Sequence, residues 1–365
     1  MTTLHHVLSS KTYKSIRVPL SEVMELGPAT IVADDILLQP GWILHELDFD
    51  LNQAVFLQQV QIKPIFAAPF AYQEQVSTAR FAAMIPFADF IALAKRLNMP
   101  QRFIHLFNIG HCGSTLLHQV FNFSGAAQCI SEPKFTFDLP TYRDKVEQPM
   151  LAALSAACLK FLTLISGYDP SQPLVLKHFS QACRIIETWA QVTTNATHLF
   201  LYRDAVSWAN SRYGFVQRRG MPADITPENK WQRWQVMAVG APQSIADGIF
   251  DIASTNVRFD DFAAISWALF MQDFARVKAS GIALHPFRYN ELNKYRAEEM
   301  AKIFAVCDLP QDRLSAALAG FDKPAHEGTS SDRSKPARNL PDDSAAHITR
   351  LLSNPKLAVD PNLIV

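Results

Sequence analysis

Cysteine is scarce and scattered. The five in 365 residues (Cys112, Cys129, Cys158, Cys183 and Cys307) form no CxxC and no paired spacing of a zinc site. That excludes a disulfide framework; sparse cysteines inside apolar stretches are expected as reduced core residues of a cytoplasmic protein. Net charge is missing too, with 34 Lys+Arg against 34 Asp+Glu. No polybasic surface for nucleic acid or membrane follows, so an anion has to be held by a few placed residues. No apolar run reaches the ~20 residues that span a bilayer, and Met1–Leu20 lacks the apolar core of a signal peptide. Neither HxxxH nor HExxH occurs among the 11 histidines, so no metal is expected. What is present is an ordinary globular mixture, 48% hydrophobic and 19% charged. Its length supports an ample core.

The first hundred residues read as a small α+β module. Ile36–Leu38 is strand-like, Gln39-Pro40-Gly41 a turn and Trp42–Leu44 a strand, with a hairpin over Phe49–Leu57. Helical periodicity follows from Gln73 to Leu97, broken at Pro86. From 101 to 345 short apolar runs alternate with helical stretches. The predicted strands are Phe103–Ile109, Ala127–Ser131, Leu174–Leu176, His198–Tyr202 and Ile282–Phe287. The predicted helices are Thr115–Phe123, Met150–Ile165, Ser180–Val192, Asp204–Gln217, Glu228–Met237 and Asp261–Lys278. That alternation predicts an α/β fold, a three-layer α/β/α sandwich with a central parallel sheet and right-handed crossovers. Asp322–Ala345, rich in Lys, Asp, Ser and Pro, reads as a mobile loop, and 346–365 as a C-terminal tail.

The most informative stretch is Phe107-Asn108-Ile109-Gly110-His111-Cys112-Gly113-Ser114-Thr115-Leu116-Leu117. A buried strand runs into Gly-x-x-Gly, two hydroxyls and an apolar helix. Glycines let the backbone turn tightly with its amides inward, and a helix N-terminus adds donors and partial positive charge. The chemistry suits a phosphate; the plain alternative is a strand-to-helix turn capped by Ser114 or Thr115. The loop is not GxxxxGK[ST], because Ser114 stands where that motif has Lys, and kinase or ATPase chemistry loses its charge clamp. Further on, the strand His198–Tyr202 ends in Arg203-Asp204, and Ser211 lies eight residues past Arg203. A guanidinium fork with a hydroxyl fits a phosphate monoester.

The two stretches together resemble the sulfotransferases that use 3′-phosphoadenosine 5′-phosphosulfate. Cys112-Gly113-Ser114-Thr115-Leu116-Leu117 is similar to the family's 5′-phosphosulfate loop, and Arg203 with Ser211 to its 3′-phosphate site. Arg288-Tyr289-Asn290-Glu291-Leu292 is similar to a later family strand end, and Gly328–Arg333 to the loop that closes on the nucleotide. The resemblance covers roughly Arg102–Lys335 and leaves the first hundred residues outside. It implies a P-loop-type fold and 3′-phosphoadenosine 5′-phosphosulfate as co-substrate, with adenosine 3′,5′-bisphosphate as product and no metal. It implies nucleotide contacts from Gly110, His111, Cys112, Gly113, Ser114, Thr115, Leu116, Arg203, Ser211 and Arg333. One position departs: the family's Lys or Arg two residues before the loop glycine is His111 here. Imidazole can replace that cation only when protonated or as an N–H donor.

Sulfuryl transfer to an alcohol or amine also needs a base. Glu132 follows the strand Ala127–Ser131, and Lys177 and His178 follow Leu174–Leu176; strand C-termini in open α/β sheets face the ligand crevice. Glu132 is the expected base and His178 the alternative. Lys177 is expected to bind the transferring group or to compensate for His111. The implied partner is a small-molecule acceptor, with no nucleic acid and no membrane; oligomeric state is not legible. Two other functions fit the same residues: a phosphotransferase using another nucleotide, and a non-catalytic nucleotide-binding regulator. Trp231 and Trp234 read as packing.

Overall fold

The computed structural model describes residues 1–13, 16–59, 65–218, 225–226, 229–230, 257–323, 339–357 and 359–360. The chain divides into two compact units. Unit 1 gathers Met1–Phe107, Thr115–Leu199 and Met300–Lys323; unit 2 gathers Asn108–Ser114, Phe200–Glu299 and Pro324–Val365. The first hundred residues therefore share a unit with much of the sheet that follows them.

Unit 1 opens with an antiparallel sheet built from β1 (Thr2–Ser10), β2 (Met24–Leu26), β3 (Thr30–Val32), β4 (Trp42–Asp48), β5 (Gln53–Gln59) and β6 (Ala79–Pro86). Its order is β2-β1-β6-β5-β4, with β3 on β1. The β4–β5 hairpin matches the pattern read at Phe49–Leu57, its turn closed by Asn52 at φ 54°. Two local expectations are corrected. Asp34–Leu38 is a 3₁₀ turn rather than a strand. The helical reading of Gln73–Leu97 holds only at its ends, as α1 is Leu20–Val23, α2 Ala71–Thr78 and α3 Phe87–Ala94. Between α2 and α3, Ala79–Pro86 is a central strand. Its alanines favour helix in isolation, but pairing with β1 on one side and β5 on the other overrides that preference.

The second sheet follows the α/β alternation. β7 (Phe103–Asn108), β8 (Gln128–Ser131), β9 (Leu174–Lys177) and β10 (Ala196–Tyr202) are separated by α4 (Ser114–Ser124), by α5 (Phe135–Tyr142) with α6 (Gln148–Phe161), and by α7 (Ile186–Val192). β11 is Leu284–Arg288, and the order is β11-β10-β7-β9-β8. β7 and β8 both pair with β9 in parallel, giving the mixed α/β fold expected. β7 and β9 are buried along their whole length, as continuous apolar runs covered on both faces require. Register sets Lys177 opposite Leu106 on β7 and Ser131 on β8.

In unit 2, the end of β10 leads into α8 (Ala205–Arg218), and α9 is Phe259–Ala279. After β11 come α10 (Tyr289–Lys294), the start of α11 (Arg296–Val306) and, near the C-terminus, α13 (Ser344–Leu352); α12 (Leu314–Ala319) belongs to unit 1. Arg258 ties the start of α9 to Asp260 and to Asp343 just before α13. Most of the Asp322–Ala345 stretch and most of the Glu228–Met237 helix, Trp231 and Trp234 among it, lie outside the described residues, as does Gly328–Arg333. No described helix is long and apolar enough to cross a membrane.

Candidate functional site

In unit 2 the loop after β7 turns through left-handed backbone three times, at Gly110 (φ 69°), His111 (φ 49°) and Gly113 (φ 84°). Residues of this kind turn the chain sharply between β7 and α4. Side chains hold the turn from two directions. Asn108 Oδ1 accepts from the Gly110 amide at 2.9 Å and from the Ser114 hydroxyl at 3.2 Å. Trp208 Nε1 on α8 donates to the carbonyls of Ile109 (3.2 Å) and Gly110 (2.8 Å). The peptides are trans, so turning the Gly110 carbonyl onto Trp208 turns the His111 amide the other way. Cys112 is fully buried, its thiol on the Leu201 carbonyl at 3.3 Å. Its side chain therefore anchors the loop, and only its backbone is available to a ligand. The His111 ring meets Phe215 edge-on at 4.9 Å.

Arg203 lies in the same unit, one residue past β10, its carbonyl fixed by Trp267 Nε1 at 2.8 Å. Its guanidinium sits 5.0 Å from the centre of the Tyr289 ring, and a Cβ added to Gly113 would run into that same ring. Tyr289 thus packs against both the loop and Arg203. Ser211 is half-buried on α8. Asp204, considered as a helix-start residue, takes that role: its Oδ1 accepts the Ser207 amide at 2.8 Å.

Gly113→Ala should therefore be costly twice over. Left-handed backbone penalises any Cβ by about 1–2 kcal/mol, and Tyr289 must also move. Denaturant midpoints of Gly113→Ala, Tyr289→Ala and the double variant will show it. The double variant is expected to be more stable than the sum of the singles by at least ~0.5 kcal/mol; strict additivity would mean that the ring does not rest on Gly113.

In unit 1, Glu132 follows β8 with φ 53°, a conformation rare for a residue with a Cβ. Its amide donates to the Lys177 carbonyl at 2.8 Å, and its carboxylate pairs with the Lys177 ammonium. Lys177 is fully buried; it also donates to Ser131 Oγ at 3.2 Å and lies 5.7 Å from the Phe70 ring centre. His178 is equally buried, its ring stacked on Phe107 and its Nε2 at 2.8 Å from His105 Nδ1. Burial, with His198 adding to it, drives its pKa well below that of a free imidazole. Thr115 and Leu116 open α4 in this unit. Arg333 lies outside the described residues.

Two supporting residues, Asn108 and Trp208, were given no role in the sequence reading, and Tyr289 was marked there only as part of the strand-end motif Arg288–Leu292. Asn108 sits directly before Ile109-Gly110, where a short amide is well placed to turn back on the loop, and that signal was available. Trp208 carried none, since its role depends on which helix comes beside the loop; the motif marked Tyr289 but not its contact with Gly113.

No protein-family model and no curated protein sequence matches this chain. Solved structures do. The chain is similar to sulfotransferase STF9 from Mycobacterium avium over 75% of its length and 81% of that chain, at 12% identity and TM-score 0.40. For sulfotransferase STF1 from Mycobacterium tuberculosis H37Rv the figures are 72%, 79%, 11% and 0.37. For mouse sulfotransferase SULT7A1, complexed with PAP, they are 77%, 84%, 11% and 0.37. Likeness this distant decides nothing about chemistry.

Proposed function

We propose that this chain transfers a sulfuryl group from 3′-phosphoadenosine 5′-phosphosulfate to a hydroxyl or amine of a small-molecule acceptor. The S–O bond to the 5′-phosphate breaks, a bond from sulfur to the acceptor forms, and the acceptor proton passes to a base. Adenosine 3′,5′-bisphosphate leaves, and no metal takes part. The observation that carries the reading is the left-handed glycine loop over Gly110–Ser114, held by Asn108 and Trp208 in one compact unit with Arg203. In this reading the loop amides, Ser114 and Thr115 receive the 5′-phosphosulfate, with Leu116 continuing the helix. Arg203 and Ser211 receive the 3′-phosphate. His111 donates to the oxygen between phosphorus and sulfur as the bond breaks, and Glu132 takes the acceptor proton with Lys177 beside it. His178, bonded to His105, supports the strand that carries Lys177. All five cysteines are buried and none forms a disulfide, which supports a reducing compartment such as the cytoplasm. A net charge of zero favours a small acceptor over nucleic acid or a membrane.

Calorimetry with adenosine 3′,5′-bisphosphate against ATP and ADP tests this. The bisphosphate is expected to bind tightest and without Mg²⁺. Arg203→Ala should weaken it by about 1.5–3 kcal/mol, the range of a hydrogen bond to a charged group, and leave AMP almost unaffected. His111→Ala should leave bisphosphate affinity nearly intact. If ATP binds as well and Mg²⁺ strengthens it, a phosphotransferase replaces this reading. If the bisphosphate binds tightly and no acceptor panel turns over, the chain is a nucleotide-binding regulator.

A further inference from the structure

Within unit 2, one side chain joins the glycine loop to Arg203. The Tyr289 ring, half-buried at the start of α10, puts one edge where a Cβ on Gly113 would stand. Gly113 is left-handed at φ 84°, and its missing Cβ is what admits the ring. The Arg203 guanidinium carbon lies over the same ring, 5.0 Å from its centre. The ring is therefore lodged between the loop and the arginine. Gly113, Arg203 and Tyr289 come from three stretches that the sequence marks separately, and all three belong to this unit.

The sheet delivers both side chains to one place. Arg203 follows β10 directly, Tyr289 follows β11 directly, and the two strands are neighbours. Fixing an arginine backbone does not fix its fork, because several rotatable bonds lie between. Trp267 Nε1 holds the Arg203 carbonyl at 2.8 Å, which sets where the side chain starts and not where the guanidinium ends. The Tyr289 ring supplies the second fixed point. An aromatic face meets the flat side of a guanidinium and leaves its in-plane N–H donors to other partners. A fork already held in this way also loses less rotamer freedom when an anion binds.

We infer that Tyr289 is a positioning residue for the nucleotide's 3′-phosphate, acting through Arg203: lodged against Gly113, it holds the guanidinium at a set distance from the loop. The inference rests on the sulfuryl-transfer reading for the identity of the nucleotide. Its consequence is selectivity between phosphate isomers. An arginine on a loose stem follows a phosphate from the 3′ to the 2′ oxygen of the ribose, and a held one does not. Both isomers offer the loop the same 5′ group. The difference between them therefore reports where Arg203 is held, and AMP reports the loop alone.

Titration calorimetry of adenosine 3′,5′-bisphosphate, adenosine 2′,5′-bisphosphate and AMP into the full chain and its Tyr289→Leu and Tyr289→Phe variants tests this. The parent is expected to prefer the 3′,5′ isomer to the 2′,5′ isomer by about ten-fold or more, the scale of one hydrogen bond to a charged group. Tyr289→Leu fills much of the space without offering a face. It should weaken the 3′,5′ isomer about three- to ten-fold, the range of a cation–π contact, and move AMP by less than about two-fold. The preference between isomers should narrow with it. Tyr289→Phe restores the face and should restore both affinity and preference. Should Tyr289→Leu fail to fold, the more adaptable Tyr289→Met takes its place. Equal weakening of AMP and the 3′,5′ isomer would overturn the inference, and so would a Tyr289→Leu variant that keeps the parent's preference. A parent that binds the bisphosphate no tighter than AMP is a separate failure. It removes the 3′-phosphate site, and the sulfuryl-transfer reading with it, before any variant is compared.

Discussion

Glu132→Gln is expected to destabilise the chain by about 3–5 kcal/mol, the usual cost of removing one partner of a buried ion pair. Lys177 has no exposed surface, and its ammonium has the Glu132 carboxylate as counter-charge, with one further hydrogen bond to Ser131. Glutamine retains an acceptor for that ammonium but not the charge that offsets its desolvation. Glu132→Gln with Lys177→Met should recover most of the loss, since methionine fills a similar volume against Phe70 and brings no charge inside. Urea midpoints of the two singles and the double decide it. A double variant no more stable than Glu132→Gln alone would show that the pair is not what the site depends on. The double variant also separates packing from chemistry. On the proposed function it folds, binds adenosine 3′,5′-bisphosphate like the parent and transfers nothing, because the base is gone while the nucleotide loop is intact.

Much of this site was legible in the amino-acid order, for physical reasons that differ by residue. Glu132 and Lys177 were found because both follow short apolar strands, and parallel strands deliver their C-terminal residues to one edge of a sheet. Their direct pairing was not found, because it requires the Ser131–Lys177 register, which a sequence leaves open. The loop after β7 announced itself through glycine spacing, and the left-handed angles at Gly110 and Gly113 are what that spacing permits. His111 at φ 49° is not something a residue list reveals. In the first hundred residues the legible part stopped at hairpins. The pattern of Ala79–Pro86 is compatible with helix, and only two flanking strands make it a strand. The buried contact of Lys134 with Glu46 and Asp138 was invisible for a similar reason, since Glu46 and Lys134 are 88 positions apart and nothing local marks either as buried.

Acid should unfold this protein well before its ordinary carboxylates titrate. Four histidines in unit 1, His45, His105, His118 and His178, are buried neutral, and burial is the first cause of each depressed pKa. For His45 and His118 it falls to about 3. Hydrogen bonds fix the neutral forms. Gln75 donates to the Leu44 carbonyl, so its Oε1 accepts from His45 Nδ1 and leaves His45 Nε2 to accept the Tyr13 hydroxyl. Thr193 donates to the Trp189 carbonyl, so its oxygen accepts from His105 Nε2, and His105 Nδ1 must accept from His178 Nε2. A second proton on His105 would set N–H against N–H at 2.8 Å. In the unfolded chain each imidazole titrates near 6.5, roughly. Below that pH the unfolded state binds more protons, so stability is fully present above it and falls as pH drops. Each histidine contributes about 1.4 kcal/mol per pH unit. Asp138 works in the opposite direction, because its folded pKa of about 6 lies above its ordinary 3.8 and the folded state takes up that proton first. Four against one leaves a net uptake of roughly three protons on unfolding near pH 5, or about 4 kcal/mol per pH unit. Two such units remove about 8 kcal/mol, all of the stability at the lower end of the usual 5–15 kcal/mol and about half of it at the upper end. Urea midpoints measured from about pH 7.5 to 5 give that proton number from their slope. His45→Gln keeps a donor and an acceptor between Tyr13 and Gln75 without a titrating ring, and should lower the number by about one. A stability curve flat from pH 7 to pH 5 would mean that these rings take up protons in the folded chain without cost.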